Sequence, residues 1–228
     1  RLGQVLNGYA RQVELAQDRL QIATEGLAEL ALGGTAVGTG INTHPQFAEK
    51  TIAGIAEETG FSFREAEDHF EAQGAKDALI SLSGALKGCA ISLFKVANDI
   101  RFLASGPRCG IGELKLPALQ PGSSIMPGKV NPVLAESVMQ VCAQVNGNDA
   151  TVALCGLSGN FELNVMMPVM AESLLQSIDL LGNVTDLFTE RYLKDLEADR
   201  ERCDDLLDQS LALVTALVPV IGYDKSAE

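Results

Sequence analysis

The stretch "KDALISLSGALKGCAISLFKVANDIRFLAS", residues 76–105, decides the fold. Leu79, Leu82, Leu86, Ala90, Leu93, Ala97, Ile100 and Ala104 recur at steps of three and four, which puts one apolar stripe along a long helix. Ser81, Ser83, Gly84, Gly88 and Ser92 are small. Each glycine costs a helix about 1 kcal/mol relative to alanine, so their presence predicts close packing on more than one side. Lys87, Lys95, Asp99 and Arg101 interrupt the apolar run and argue against a membrane span.

The same period extends outward. Residues 2–32 place Leu2, Val5, Leu6, Tyr9 and Val13 and their successors on one face, predicting a helix of about 30 residues and roughly 45 Å. A glycine-rich loop, 33–45, ends it, and a shorter helix is predicted over 46–59. Two more long helices are expected at about 133–154 and 168–196, with "CGLSGNFELN" between them. Apolar residues make up 46% of the chain and aromatics 5%, a balance that favours closely packed helices over a β-sandwich. The expected fold is all-α, a bundle of four long helices, and such lengths favour an oligomeric bundle over a monomer. The chain opens on Arg1 inside a helical pattern and stops at "IGYDKSAE", so it reads as part of a longer protein. Residues 1–196 are expected to form the central helical domain and 197–228 the start of a small C-terminal one.

The net charge is −13, which argues against non-specific nucleic-acid binding. Yet Arg101, Arg108, Lys115 and Lys129 against Glu113 make residues 101–131 locally +3. Five cysteines without a C-x-x-C read as free thiols in a reducing compartment. With only His44 and His69, neither near a cysteine in sequence, no metal site is expected.

The cationic segment holds "PGSSIMPGKVNP", residues 121–132. It is not a P-loop: five residues separate Gly122 from Gly128, and Val130 stands where Ser or Thr would ligate Mg²⁺. Two hydroxyls (Ser123, Ser124), an ammonium (Lys129) and an amide (Asn131) lie between glycines and prolines just before a predicted helix start. Free N–H groups and the helix dipole draw anions to such an end. Lys129, Asn131 and one serine could hold a carboxylate and leave the other serine free for proton transfer.

"GSSIMPGKVNP" resembles the signature G-S-S-x-M-P-x-K-x-N of the fumarase/aspartase superfamily at every fixed position. "ELALGGTAVGTGINTHPQF", "ANDIRFLASGPRCGIGEL", "SGNFELNVMMPVM" and "LVTALVPVIGYDKSAE" are similar to its class II fumarase branch. The resemblance spans essentially the whole chain and implies metal-free, reversible hydration of fumarate to (S)-malate. It implies Ser123 as the base that takes the C3 proton, Ser124 in substrate binding, and Lys129 and Asn131 as carboxylate ligands. Glu136 matches the acidic residue that hydrogen-bonds the catalytic histidine. It further implies a homotetramer whose sites are each shared by three chains, with no cofactor, nucleic acid or membrane involved. The expected location is the cytoplasm, or the mitochondrial matrix in a eukaryote. The family's proton-donating histidine precedes the "LGQ" that is here Leu2–Gln4, so the 228 residues alone are expected to be inactive.

Two rivals stand beside this reading: an ammonia-lyase of the aspartase type, which shares the loop, and a non-catalytic helical assembly module. "GTAVGTG" (34–40) lacks the order and preceding strand of a dinucleotide fingerprint and reads as a packed turn. His44 reads as a loop or cap residue, His69 as part of a solvated face, Cys109 as a buried thiol, and the acidic run 195–208 as a solvated helix face. Met166, Met167 and Met170 read as core or interface filler.

Overall fold

The structure, a computed structural model, describes residues 2–228. Four long helices dominate, as the periodicity predicts: α1 (Leu2–Glu25), α4 (Asp77–Leu103), α5 (Val133–Gly156) and α6 (Met167–Phe188), with the shorter α2 (Phe47–Thr59) and α3 (His69–Gly74) between the first two. Four two-residue strands are the only β-strands among the described residues. The all-α expectation holds.

The chain forms two compact units, residues 1–97 with 136–186, and residues 98–135 with 187–228. In the first unit the core runs along α4, α5 and α6. Leu82, Leu86 and Ala90 of α4 are buried, as are Val138, Cys142, Val145 and Val152 of α5 and Met170, Leu174 and Leu181 of α6. Burying each larger aliphatic side chain contributes about 1.5–3 kcal/mol. Polar groups inside this core are paired. Asp149 accepts from Ser83 Oγ at 2.8 Å and forms an ion pair with Lys87. Asn148 Nδ2 donates to Gln176 Oε1 at 2.9 Å and Ser177 Oγ at 3.0 Å. The helix α4 is long and apolar enough to cross a membrane by length and composition. Its mid-helix charges are engaged by neighbouring helices, Lys87 by Asp149 and Lys95 over the Tyr9 ring at 5.1 Å.

Two expectations are corrected in this unit. The first helix stops at Glu25 rather than Leu32, because Gly26 weakens it and Glu29–Leu30 (β1) pairs in parallel with Arg64–Glu65 (β2) instead. Glu29 reinforces the pairing through Arg64 at 3.1 Å. Of the small residues of α4, Ser83 and Ser92 are buried within the chain, while a Cβ added to Gly84 or Gly88 would meet nothing of this chain within 4 Å. His69 is not on a solvated face. Its side chain is 18% exposed, and Nε2 lies 3.2 Å from Leu32 O and 3.3 Å from Glu65 Oε1. Its neighbour Asp68 caps α3 by accepting from Phe70 N and Glu71 N. His44 is a loop residue as expected, its Nδ1 accepting from Gln46 N at 3.1 Å.

In the second unit, β3 (Leu114–Lys115) pairs antiparallel with β4 (Glu197–Ala198), and a π-helical turn, Thr189–Leu193, follows α6. Asp199 caps α7 (Arg200–Asp208) by accepting from Arg202 N. The acidic run is therefore not one helix face: a strand and a cap interrupt it. A 3₁₀ stretch (Leu211–Leu217) and the short helices α8 (Val218–Ile221) and α9 (Tyr223–Ala227) complete the chain.

Candidate functional site

Residues 106–132 carry no helix, as expected, and are tied down by specific bonds as well as by the buried side chain of Leu114. Arg202 Nε donates to Ile111 O at 2.8 Å and its Nη2 to Gly110 O at 3.2 Å. Lys115 Nζ lies 2.7 Å from Asp199 Oδ2. The hydrogen bond from Lys115, with that from Arg202 N, holds the Asp199 carboxyl below its usual range. Asp199 N donates to Glu113 O at 2.9 Å, extending the strand pairing by one step. This frame fixes the first half of the segment and so the point from which the second half departs.

The second half closes on itself. Gly122 N donates to Lys129 O at 2.7 Å, and Asn131 Nδ2 donates to Gly122 O at 3.0 Å. A Cβ at Gly122 would lie 2.8 Å from both Asn131 N and Lys129 O, so only glycine fits the neck of this loop. Gly128 supplies the left-handed conformation (φ 77°) that turns the chain back. Within the loop Ser123 Oγ accepts from Ile125 N and from Met126 N, each at 3.1 Å. Ser123 is half-buried, while Ser124 and Lys129 are exposed. Among the described residues the Lys129 ammonium makes no ion pair or hydrogen bond.

Two backbone N–H donors on one hydroxyl oxygen have a chemical consequence. They leave its proton free to depart and stabilise the oxygen more as it gains negative charge. In sequence, Lys129 and a helix start stand close to Ser123 as groups that attract negative charge. The structure adds the amides of Ile125 and Met126, which have no side-chain signature. The only clue to them is the turn chemistry of Gly122, Pro127 and Gly128, which shapes the backbone around the serine.

Of the residues singled out from sequence, Ser123, Ser124, Lys129 and Asn131 share this one loop, and α5 begins two residues after Asn131. Glu136 stands in the first turn of α5 and belongs to the first unit. Cys109 is exposed, not buried, because it sits in the turn before Gly110 rather than on a helix. Cys142 is fully buried, and burial pushes its thiol up to about 11. No group of three or more His, Cys, Asp or Glu side chains is gathered for a metal among the described residues.

A protein-family model described as "Lyase" matches residues 1–147. Over 227 residues the chain is 55% identical to the class II fumarate hydratase of Neisseria meningitidis serogroup A, covering 100% of this chain and 49% of that protein. It is 53% identical over 227 residues to the protein of Rattus norvegicus named "Fumarate hydratase, mitochondrial", covering 100% and 45% respectively. The solved class II fumarase of Schistosoma mansoni superposes with a TM-score of 0.94 at 41% identity, over 99% of this chain and 50% of that one. The chain spans about half the length of the curated relatives it matches.

Proposed function

The chain belongs to the lyase family matched over residues 1–147, and from that premise we propose that the intact protein is a fumarate hydratase interconverting fumarate and (S)-malate. Ser123 acts as the base that removes the C3 proton of malate. What supports this role is the pair of N–H donors from Ile125 and Met126 on its Oγ, which lowers the cost of an alkoxide. Lys129 and Asn131 bind the adjoining carboxylate and stabilise the doubly charged aci-carboxylate as the proton leaves. Asn131 has a second amide N–H for this beyond the one given to Gly122 O. Ser124 adds a further hydrogen bond to substrate. Glu136 orients the histidine that protonates the departing hydroxyl.

In the resemblance that histidine precedes the stretch matched by Leu2–Gln4. The intact protein is a homotetramer with each site assembled from several chains. Support for association lies in large apolar side chains left exposed along the long helices of the first unit, among them Ile91 (54%), Leu154 (66%) and Leu175 (61%). Residues 197–228 open a small C-terminal domain. The protein works in the cytoplasm, or in the matrix if its host is a eukaryote, as the name of the rat relative suggests. The reaction needs acid–base groups and bound charge only.

The test is turnover by the intact protein supplied separately with malate and with aspartate. Fumarate should form from malate alone. Fumarate from aspartate alone would replace this reading with the ammonia-lyase, and fumarate from neither would favour the assembly module.

A further inference from the structure

We infer that Asn131 and Gly122 are positioning residues: together they clamp the neck of the loop and thereby hold the two N–H donors on Ser123 Oγ. The inference rests on Ser123 being the base. A continuous chain of bonds links neck to hydroxyl. Gly122 N donates to Lys129 O at 2.7 Å, Lys129 N donates to Met126 O at 3.3 Å, and Met126 N donates to Ser123 Oγ at 3.1 Å. Asn131 Nδ2 closes the ring from the other side, on Gly122 O at 3.0 Å. Asn131 is itself held, its carbonyl accepting from Val133 N at 2.9 Å where α5 begins. Both polar backbone groups of Gly122 are thus committed across the neck, and Ser123 is the next residue in the chain.

The neck has no slack. A Cβ at position 122 would sit 3.1 Å from Asn131 Cγ as well as 2.8 Å from two backbone atoms, so a side chain there must part the strands. Opening the neck frees Lys129, which carries the Met126 end of the loop, and with it one donor to Ser123. Proton abstraction depends steeply on such placement: about 1 Å of misplacement can cost 100-fold in rate.

Gly122→Ala isolates the clamp, since glycine has no side chain to touch a substrate. In the intact protein, loss of two hydrogen bonds should speed amide exchange at residues 122, 125 and 126 by roughly 30-fold. With malate, kcat should fall at least about tenfold, and by more than Kd for succinate, a non-reacting dicarboxylate, rises through the displacement of Lys129 and Asn131. Asn131→Asp keeps the shape, removes the N–H and should also speed exchange at Gly122. If Gly122→Ala does not fold, exchange in Asn131→Asp alone decides the matter, because its kcat also reflects the carboxylate that Asn131 binds. Unchanged exchange in both variants, or faster exchange with unchanged kcat, overturns the clamp. Wild-type protein inert towards malate would instead refute the hydratase reading, and the exchange arm would still judge the clamp.

Discussion

Removing Lys87 should destabilise the helical core more than neutralising its partner Asp149. The Asp149 side chain is 11% exposed and that of Lys87 41% exposed, so the carboxylate depends on the pair and the ammonium can still reach water. Lys87→Met leaves a buried carboxylate with Ser83 Oγ as its remaining side-chain donor, at 2.8 Å. Stranding a buried charge in this way costs about 3–5 kcal/mol, here taken at the lower end because one hydrogen bond survives. Asp149→Asn keeps an acceptor for Ser83 and releases Lys87 to solvent, so its cost is that of weakening one charged hydrogen bond, about 1–2 kcal/mol. For a chain of this size about 3 kcal/mol corresponds to a fall in Tm of roughly 6–12 °C. Asp149→Leu combined with Lys87→Met should recover most of the loss, since no unpaired charge remains. Denaturant titration and thermal scans of the four proteins at pH 7 measure this. A Lys87→Met variant no less stable than Asp149→Asn would refute the reasoning.

Thiol-specific alkylation at pH 7 should modify the exposed Cys109 quickly and leave the fully buried Cys142 untouched until the protein unfolds, which peptide mass mapping reads directly. Because the folded protein keeps Cys142 protonated up to about 11 while an unfolded thiol ionises near 9.0, folding stability should decline as pH rises between those values. Cys142→Ala should flatten that decline in denaturant midpoints. On the acid side the sign is opposite. Lys115 and the Arg202 amide depress the Asp199 carboxyl below 3.8, so its contribution is present above that pH and lost as pH falls through the lower, folded value. Asp199→Asn should therefore remove part of the acid-induced loss of stability while weakening the cap of α7 at neutral pH.

The long helices are legible in sequence because a 3.6-residue stripe is a local property. Leu82, Leu86, Ala90, Ala97 and Ile100 are buried where the stripe through 76–105 puts them. The loop at 106–132 is legible for the complementary reason, since five prolines and no period leave little else. What escaped depends on partners remote in sequence. The end of α1 is set by Glu29 and Leu30 pairing with residues 64–65, and the inward turn of the partly buried His69 by the carbonyl of Leu32. Gly84 and Gly88 show that a helix can carry small residues that nothing in its own chain covers. In the loop the side chains of the candidate site were readable, but the backbone donors to Ser123 were not: any residue supplies an N–H, and only the fold says where it points.

The central claim is that Ser123 is a base in a loop built to carry its charge, and Ser123→Ala in the intact protein tests it most directly. Steady-state interconversion of fumarate and malate should lose at least about 10²–10⁴ in kcat, with succinate affinity and assembly state unchanged. A Ser123→Ala protein that hydrates fumarate at the wild-type rate would contradict the account.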